Sequence, residues 1–353
     1  MKQYNLCFLG FGNVGKSLAR LLGSKSVELR ERYGIEWRIT GVATRRMGWL
    51  ADAKGLDVNA LLAGKVAGAG TAREKHATRA DVGGDDVRVD YIRDWLKAAG
   101  ADVLFETTSL DPATGQPAID YIRAALEQGA HAITANKGPV VHAYRELRDL
   151  AASKGKRFMF EATVMGGAPV FSLFRETLPG ATLLGFRGLL NSTSNLIITE
   201  MESGRTFDQA VKKAQDIGLA ETEPSNDVDG WDASVKVSAL ATVLMDAPLK
   251  PQDVQREGIR GLTPEVVSQA RADGMPFKSV CRITRENGRV TASVRPEQIP
   301  VSDPLANVRG ASSIAHFEID TLPSGLTLVS HDPGPDTTAY DMLADFVNAV
   351  KAR

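Results

Sequence analysis

Short apolar runs alternate with segments of helical apolar spacing along the first half of the chain. The apolar runs predict strands at residues 4–9, 37–43, 103–106 and 131–135. The segments between them predict crossover helices at residues 14–22, 118–127 and 141–152. Strands and helices that alternate in this way build a parallel sheet with helices on both faces. The pattern therefore predicts an α/β fold with a Rossmann-type doubly wound parallel sheet.

The pattern changes near residue 157, and the chain of 353 residues is longer than one hydrophobic core usually supports. An apolar run leads there into the glycine-rich segment MGGAP, and the strands and helices that come after it are less regularly ordered. We therefore predict a dinucleotide-binding domain at 1–157 and a substrate-binding α+β domain at 158–338. A final helix, at 339–353, is expected to pack back on the first domain. Residues 54–90 are rich in Gly, Ala and charge, and we interpret them as an elaborated connection.

The motif GFGNVG, at residues 10–15, follows the first predicted strand and opens the first predicted helix. In this context Gly10 permits a tight turn, Gly12 lets a pyrophosphate approach the backbone, and Gly15 allows close contact of helix and strand. The helix N-terminus adds N–H donors and a positive dipole. The motif residues expected to bind a dinucleotide are Gly10, Gly12, Asn13, Val14 and Gly15. The alternative is a glycine turn that binds no ligand.

The end of the second strand decides which nicotinamide cofactor is favoured. NAD-binding proteins usually carry an acid there that binds the adenosine ribose, whereas an arginine suits the 2′-phosphate of NADP. The segment GVATRR has no acid and offers Thr44 and Arg45 instead. The sequence therefore favours NADP, with NAD as the alternative cofactor. The competing interpretation of Arg45 and Arg46 is that they are solvated surface charges.

Polar residues follow two further strands of the predicted sheet. Thr107 and Thr108 come directly after Glu106, and Asn136 and Lys137 precede a predicted Gly-Pro turn. Ligands of an open parallel sheet bind beyond the carboxyl ends of its strands. We therefore expect the polar atoms of these five residues to face the nicotinamide, with Thr107, Thr108 and Lys137 as cofactor-binding residues. For Lys137 the alternative is a solvated loop lysine.

A single charged side chain interrupts an apolar helical segment in the second half of the chain. Lys236 is the only charge between residues 233 and 245, and apolar or small residues surround it on every side of the helical wheel. Such a helix is buried. Asp232 lies four residues earlier, on the same face. Burial lowers the pKa of a lysine and a nearby carboxylate raises it, so the pair suits proton exchange with a reacting oxygen.

The loop before this helix carries four acids, which are Glu221, Glu223, Asp227 and Asp229. Their carboxylates suit the ammonium group of an amino-acid substrate. Two alternatives remain for this part of the chain. One is an intrahelical ion pair without chemistry, and the other is a hard-cation site built from oxygen ligands.

Charge and cysteine content narrow the classes of partner. The net charge of -1 predicts no general attraction to nucleic acid or acidic lipid, so a small molecule is the expected partner. No stretch approaches the roughly 20 apolar residues that a membrane helix needs. Two cysteines far apart in sequence do not indicate a disulfide scaffold. We therefore expect a cytoplasmic protein.

These segments resemble the homoserine dehydrogenase family over nearly the whole chain. The family signature runs from Ala and Gly through Pro, Asp, Gly and a second Asp to Lys, and it fits Ala214, Gly218, Pro224, Asp227, Gly230, Asp232 and Lys236. Glu223 departs from it, because the family usually has Asp, Asn or Ser before the proline. The chain stops at Arg353, so the resemblance is to the short form. We expect neither an aspartokinase fusion nor a C-terminal regulatory domain, and no threonine feedback through one.

The resemblance also implies roles outside the signature. ITANKGPV is similar to the family's nicotinamide-side lysine segment, which makes Lys137 a second active-site lysine. NSTSN is similar to the substrate-side turn, with Asn191 and Thr193 retained as substrate-binding residues. EATVMGGAP is similar to a stretch that holds Na+ or K+, mainly through backbone carbonyls, and it maps onto Glu161, Val164, Gly166 and Ala168. A homodimer formed through the second domain is implied as well.

The reaction that the resemblance implies is the reversible reduction of L-aspartate 4-semialdehyde to L-homoserine with NAD(P)H, in threonine and methionine biosynthesis. Lys236, with Lys137, is expected to protonate the carbonyl oxygen, while Asp232 orients Lys236. Glu221 is expected to bind the substrate ammonium group, with Asp227 as a supporting residue. Two rival functions stay open, namely another amino-acid-handling NAD(P) dehydrogenase and a non-catalytic NADP-binding sensor.

Overall fold

The structure, a computed structural model, describes residues 1–65 and 89–351, without the side chains of Val89 and Asp90. It divides into two compact units. The first consists of Met1–Thr163 with Pro335–Arg353, and the second is Val164–Gly334. Within the described residues, no helix combines the length and the apolar character that crossing a bilayer requires.

The first unit contains the predicted doubly wound sheet, which is confirmed. Its strands are β1 (Lys2–Leu9), β2 (Ile35–Thr44), β3 (Gly48–Ala51), β4 (Val103–Glu106), β5 (His131–Thr134) and β6 (Phe158–Met159). Their order is β3-β2-β1-β4-β5-β6, and all pairs are parallel except β2 and β3. The antiparallel edge strand β3, with the sequence GWLA, was not predicted.

The helices of the first unit connect the parallel strands. They are α1 (Asn13–Ser24), α2 (Ser26–Tyr33), α3 (Val58–Leu62), α4 (Val89–Ala99), α5 (Ala118–Glu127) and α6 (Lys137–Ser153), with the C-terminal helix (Pro335–Val350) at the chain end. The predicted connection at 54–90 thus contains α3, while residues 66–88 lie outside the described part. The predicted Gly-Pro turn is wrong. Pro139 lies in the first turn of α6, where the missing N–H would have had no intrahelical partner.

Apolar residues of β1 face both sides of the sheet, which explains why the strand reads as a continuous apolar run. Leu6 and Phe8 pack with α1 and the C-terminal helix, whose Phe346 lies 5.8 Å from the Tyr4 ring. Cys7 belongs to the core on the other face, which α4 and α5 cover. The two cores fix the glycine turn after β1 between rigid elements.

The second unit is built on an antiparallel sheet. Its strands are β7 (Leu183–Leu189), β8 (Gln255–Arg256), β9 (Phe277–Glu286), β10 (Arg289–Gln298), β11 (Ser313–Ile319) and β12 (Leu322–Ser330). The order is β12-β11-β7-β9-β10-β8, with only the short β8 parallel to its neighbour. β9 and β10 form a hairpin whose turn residues Asn287 and Gly288 both have positive φ, as a two-residue type I′ turn requires.

Helices cover this sheet and carry most of the residues predicted to bind the substrate or to transfer the proton. They are α7 (Val170–Ser172), α8 (Ser192–Glu202), α9 (Phe207–Asp216), α10 (Ser225–Val228), α11 (Trp231–Leu244) and α12 (Pro264–Ala272). α11 packs on β9 and β10, and α8 packs on β9. Burial around most of α11, from Ala233 to Thr242, agrees with its apolar sequence.

Candidate active site

The charged pair predicted on the buried helix is present in the second unit. α11 begins after Gly230, whose φ of 79° places it in the left-handed region that favours glycine. Asp232 lies in the first turn, and Lys236 lies one turn later. The Lys236 Nζ atom is 2.8 Å from Asp232 Oδ2, with side chains 17% and 19% exposed. The pair is therefore largely desolvated but still reachable from solvent.

The ammonium group of Lys236 has a second acceptor. Its Nζ atom donates to the backbone carbonyl of Leu190 over 2.7 Å. An ammonium has three N–H donors, and these two contacts within the described residues use two of them. These contacts do not use the third N–H.

A second acid joins the pair through Asn191. The Asn191 Nδ2 atom donates to Asp227 Oδ1 over 2.7 Å and to Asp232 Oδ2 over 3.0 Å. Burial raises the pKa of Asp227, and the charge of Asp232 adds to the rise, while hydrogen bonds from Asn191 and Thr193 and the charge of Lys236 oppose it. Two carboxylates and one ammonium thus share one mostly buried cluster. We call Asn191, Asp227, Asp232 and Lys236 the acid–lysine cluster.

The other residues predicted to bind the substrate lie at different distances from the acid–lysine cluster. Thr193 is buried in the first turn of α8, where its hydroxyl donates to the Leu219 carbonyl over 3.4 Å, and it opposes the rise in the pKa of Asp227. Glu221 is exposed in the loop between α9 and α10, where its carbonyl accepts a bond from Gln215. The acids Glu223 and Asp229 contact Ser225 and Arg260 instead. Of the four loop acids, Asp227 is the one that described contacts bring into the acid–lysine cluster.

The three motif glycines have the surroundings that dinucleotide binding requires. Gly10 has φ +90°, and a Cβ built there would lie 2.6 Å from Thr107 Oγ1. A Cβ on Gly15 would lie 3.1 Å from the Gly10 carbonyl oxygen. A Cβ on Gly12 would meet nothing within 4 Å. Gly10 and Gly15 are therefore constrained by the protein itself, whereas Gly12, which precedes Asn13 and Val14 at the start of α1, borders open space.

The residues at the carboxyl ends of β4 and β5 form one hydrogen-bonded group. Glu106 is buried and accepts bonds from Thr108 Oγ1 and Thr134 Oγ1, each over 2.5 Å. Burial raises the pKa of Glu106, and these donors oppose the rise. Thr107 Oγ1 donates to the Gly10 carbonyl over 3.2 Å. The hydroxyls of both predicted cofactor-binding threonines thus also brace the sheet edge.

Lys137 and Arg45 differ in exposure and in local structure. Lys137 is the first residue of α6, half-buried, directly after Asn136, whose Oδ1 caps the helix by accepting from the Gly138 N–H over 2.9 Å. Arg45 lies exposed in the turn between β2 and β3, next to Thr44, the last residue of β2. Both positions are at the carboxyl edge of the sheet, where ligands of this fold class bind.

The residues assigned to a monovalent cation divide between the two units. Glu161, in the first unit, is 4% exposed. In the second unit, the Gly166 carbonyl accepts a bond from Ser330 Oγ over 2.6 Å, and the Ala168 carbonyl accepts from the Val170 N–H over 2.9 Å. A carbonyl oxygen has two lone pairs, so each can still bind a cation. The described residues contain no group of three or more His, Cys, Asp or Glu side chains suited to a metal ion.

Two features of the second unit were not predicted. The Leu190 carbonyl is a backbone group, and nothing in the sequence marks it as an acceptor for Lys236. Lys278 on β9 is fully buried, donates to the Val308 carbonyl over 2.7 Å, and has a pKa that burial lowers to about 8. Strand alternation gives a signal for it, since Lys278 shares a face with buried Val280. Lys278 lies outside the acid–lysine cluster as defined by described contacts.

Comparisons with known proteins cover both units. A family model described as "Homoserine dehydrogenase" matches residues 169–347, and one described as "Homoserine dehydrogenase, NAD binding domain" matches residues 10–161. An NAD(+)-dependent homoserine dehydrogenase from Pseudomonas canavaninivorans is 35% identical over 99% of this chain and 96% of its own. The crystal structure of a homoserine dehydrogenase from Thiobacillus denitrificans has a TM-score of 0.80 at 29% identity, covering 99% of this chain and 74% of that one.

A further solved structure bears on the cofactor. It is a hyperthermophilic archaeal homoserine dehydrogenase mutant in complex with NADPH, with a TM-score of 0.78 at 25% identity and full coverage of both chains. These two relatives therefore differ in cofactor, one with NAD+ and the other with NADPH. Both cofactors are nicotinamide dinucleotides, in agreement with the NAD-binding-domain model that matches the first unit.

Proposed function

The chain belongs to the homoserine dehydrogenase family, and from that premise we propose that it interconverts L-homoserine and L-aspartate 4-semialdehyde in threonine and methionine biosynthesis. The observation that carries the proposal is the partly buried Lys236 ammonium, held by Asp232 and the Leu190 carbonyl with one donor left over. A dehydrogenase of this kind needs a proton donor at the substrate oxygen. A non-catalytic sensor has no use for one.

In the direction of reduction, bound NAD(P)H supplies the hydride to the aldehyde carbon. Lys236 donates the proton that the developing alkoxide takes up, and it recovers a proton from solvent before the next turnover. Asp232 stabilises the ammonium form and fixes its orientation, and Lys137 of the first unit is proposed as the second active-site lysine. In the direction of oxidation, Lys236 as the neutral amine accepts the hydroxyl proton instead.

The amino-acid part of the substrate is proposed to bind to the acids and the turn before α8. Asp227 and Glu221 suit its ammonium group, because carboxylates form short charge-assisted hydrogen bonds with ammonium. Thr193, buried beside Asp227, offers a hydroxyl on the same side. An aldehyde substrate without an ammonium group cannot form these charge-assisted bonds, which is the basis of the proposed amino-acid specificity.

For the cofactor we propose NADP, with NAD as the competing choice. The absence of an acid at the end of β2 and the presence of Thr44 and Arg45 support NADP. The turn residues Gly10, Gly12, Asn13, Val14 and Gly15 would hold the pyrophosphate, and Thr107, Thr108 and Lys137 would border the nicotinamide. A Na+ or K+ ion is proposed at Glu161 and the carbonyls of Val164, Gly166 and Ala168. We further propose a cytoplasmic homodimer.

The test is cofactor reduction by the purified protein with L-homoserine, followed through the absorbance of the reduced nicotinamide. NADP+ and NAD+ are compared, each with and without K+, beside a panel of other amino acids and semialdehydes. We expect homoserine-dependent reduction, faster at low cofactor concentration with NADP+. Turnover on another panel member but not on homoserine would indicate a different dehydrogenase. Cofactor binding without turnover on any member would indicate a sensor.

A further inference from the structure

We infer that Asn191 is a positioning residue, which holds Asp227 and Asp232 as a pair of carboxylates and acts on the reaction through them rather than by contacting the substrate. The inference rests on the proposed function for its kinetic test. It changes the role expected for Asn191 from its resemblance to the family's substrate-side turn. It also connects the two acids to the turn that holds Lys236.

The hydrogen-bonding capacity of the Asn191 side chain carries the argument. Its amide nitrogen has two hydrogens, and they go to Asp227 Oδ1 and Asp232 Oδ2. Its oxygen accepts from the Ser194 N–H over 2.8 Å and caps α8. The residue is 7% exposed. Both side-chain donors are therefore committed to the acids, and no side-chain N–H remains to donate to a substrate oxygen.

The place of Asn191 in the fold makes it suitable for this task. It lies between the end of β7 and the start of α8, so a strand and a helix both fix its backbone. The preceding residue, Leu190, presents its carbonyl to the Lys236 ammonium. Two consecutive residues, Leu190 and Asn191, thus hydrogen-bond Lys236 and its partner Asp232. A shift of this turn would disturb the Lys236–Asp232 geometry at both ends.

The charges around the Asn191 side chain explain why an amide is needed there. The charged groups that act on Asp227 are Asp232 and Lys236. Both also act on Cys281 of β9, a buried thiol whose pKa burial raises to about 12. Two carboxylates that close together repel, which favours uptake of a proton by one of them. An amide that donates to each opposes that uptake. Asp232 then stays charged and keeps its hold on Lys236.

The informative variant is Asn191→Ser. Serine is about as good a helix cap as asparagine, so α8 keeps its cap, but a single O–H cannot donate to both acids. We call the fall of kcat/KM for homoserine at low pH the acidic limb of the pH profile. In Asn191→Ser this limb should move to a higher pH by about one unit, and kcat should fall about tenfold. Cofactor affinity should not change. The matched control is Thr206→Ala, which removes the cap of α9 and should leave the limb in place.

A second substitution tests whether the effect passes through the acids. Adding Asp227→Asn to Asn191→Ser removes one of the two repelling charges, so the acidic limb should return toward that of the unsubstituted protein. An increase in KM alone, with the limb unmoved in Asn191→Ser, would overturn the inference and mark Asn191 as a substrate contact. A limb that shifts equally in Thr206→Ala would overturn it as well, since helix capping would then explain the shift.

A readout without activity separates this inference from the proposed function. If the unsubstituted protein does not oxidise homoserine, the proposed function fails, but thermal unfolding can still be compared between it and Asn191→Ser. Because the Asn191 amide stabilises the ionised carboxylates, the loss of Tm should be larger near pH 7.5 than at an acidic pH low enough to protonate them. An equal loss of Tm at both pH values would reject the role of Asn191 as a positioning residue.

Discussion

The Lys236 ammonium lies 2.8 Å from the Asp232 carboxylate, one turn away on α11, in a helix whose other residues are mostly buried and uncharged. Burying such a pair costs desolvation energy that its mutual attraction only partly offsets, and apolar residues of similar size often serve stability equally well. A purely structural explanation of this pair is therefore weak. Proton transfer at a substrate oxygen gives the charges a use.

Replacing Lys236 tests the proposed proton transfer directly. Lys236→Ala removes the proton donor while leaving the glycine turn of the other unit intact, so kcat for homoserine oxidation should fall about 100-fold or more. The dissociation constant of NADPH, measured by fluorescence titration, should stay within about twofold of its original value. Lys250→Ala, an exposed lysine of the same unit, is the control and should retain full turnover. Retained turnover in Lys236→Ala would reject the assignment.

Gly12 offers a test of the cofactor site that is separate from folding. A Cβ at this position meets no protein atom within 4 Å, and the φ of -81° is one that alanine adopts. Gly12→Ala should therefore fold with an unchanged Tm but bind NADPH at least about tenfold more weakly, because the methyl group occupies space needed by the pyrophosphate. Gly23→Ala, further along α1 and equally open, should leave binding unchanged. Equal affinities of the two variants would contradict the placement of the pyrophosphate.

Arg45 and Arg46 form a matched pair for cofactor selection, since both lie exposed in the turn after β2. Arg45→Gln removes the charge proposed to bind the 2′-phosphate, so KM for NADP+ should rise about tenfold with little change for NAD+. Arg46→Gln should have a smaller effect on either cofactor. If the two variants raise KM for NADP+ equally, the turn attracts NADP+ through its overall positive charge and not through Arg45 in particular. If neither does, Arg45 has no part in selecting the cofactor.

The parallel sheet was predictable because burial on both faces turns a strand into a continuous apolar run. β4 and α5 match their predicted ranges residue for residue. The failures have equally local causes. α2 has the sequence SVELRERY, in which only Leu29 is buried, so no apolar face marks it. The first turn of α6 contains Gly138 and Pro139, which resemble a loop in sequence, although proline is well tolerated there.

The same difference between local and long-range relationships applies to the acid–lysine cluster. The i, i+4 spacing of Asp232 and Lys236 is a local relationship, and the sequence alone sufficed to predict it. The contacts of Leu190 and Asn191 with α11 and Asp227 join segments more than 30 residues apart, and no periodicity encodes them. Asn191 was singled out only by resemblance, which identified the residue but gave it a different role. Tertiary hydrogen bonds of single side chains are the information that a sequence pattern lacks.

His131 provides a stability prediction that is independent of the proposed reaction. Its Nδ1 accepts the Arg157 N–H over 3.1 Å, and burial, together with nearby positive charges, lowers its pKa to about 4. An unfolded histidine titrates near 6.5, so between about pH 6.5 and 4 the unfolded chain binds more protons than the folded one. Stability from this group is present above that range and is lost as the pH falls through it.

His131→Asn keeps an acceptor for the Arg157 N–H but cannot be protonated. Its Tm should therefore fall less steeply than that of the unsubstituted protein when thermal unfolding is followed from pH 7.5 down to pH 4, whatever its Tm at pH 7.5. His331→Asn, an exposed histidine of the second unit, controls for the loss of a histidine as such. Parallel Tm curves for the unsubstituted protein and His131→Asn would show that His131 is protonated equally in the folded and unfolded states, contrary to its burial on β5.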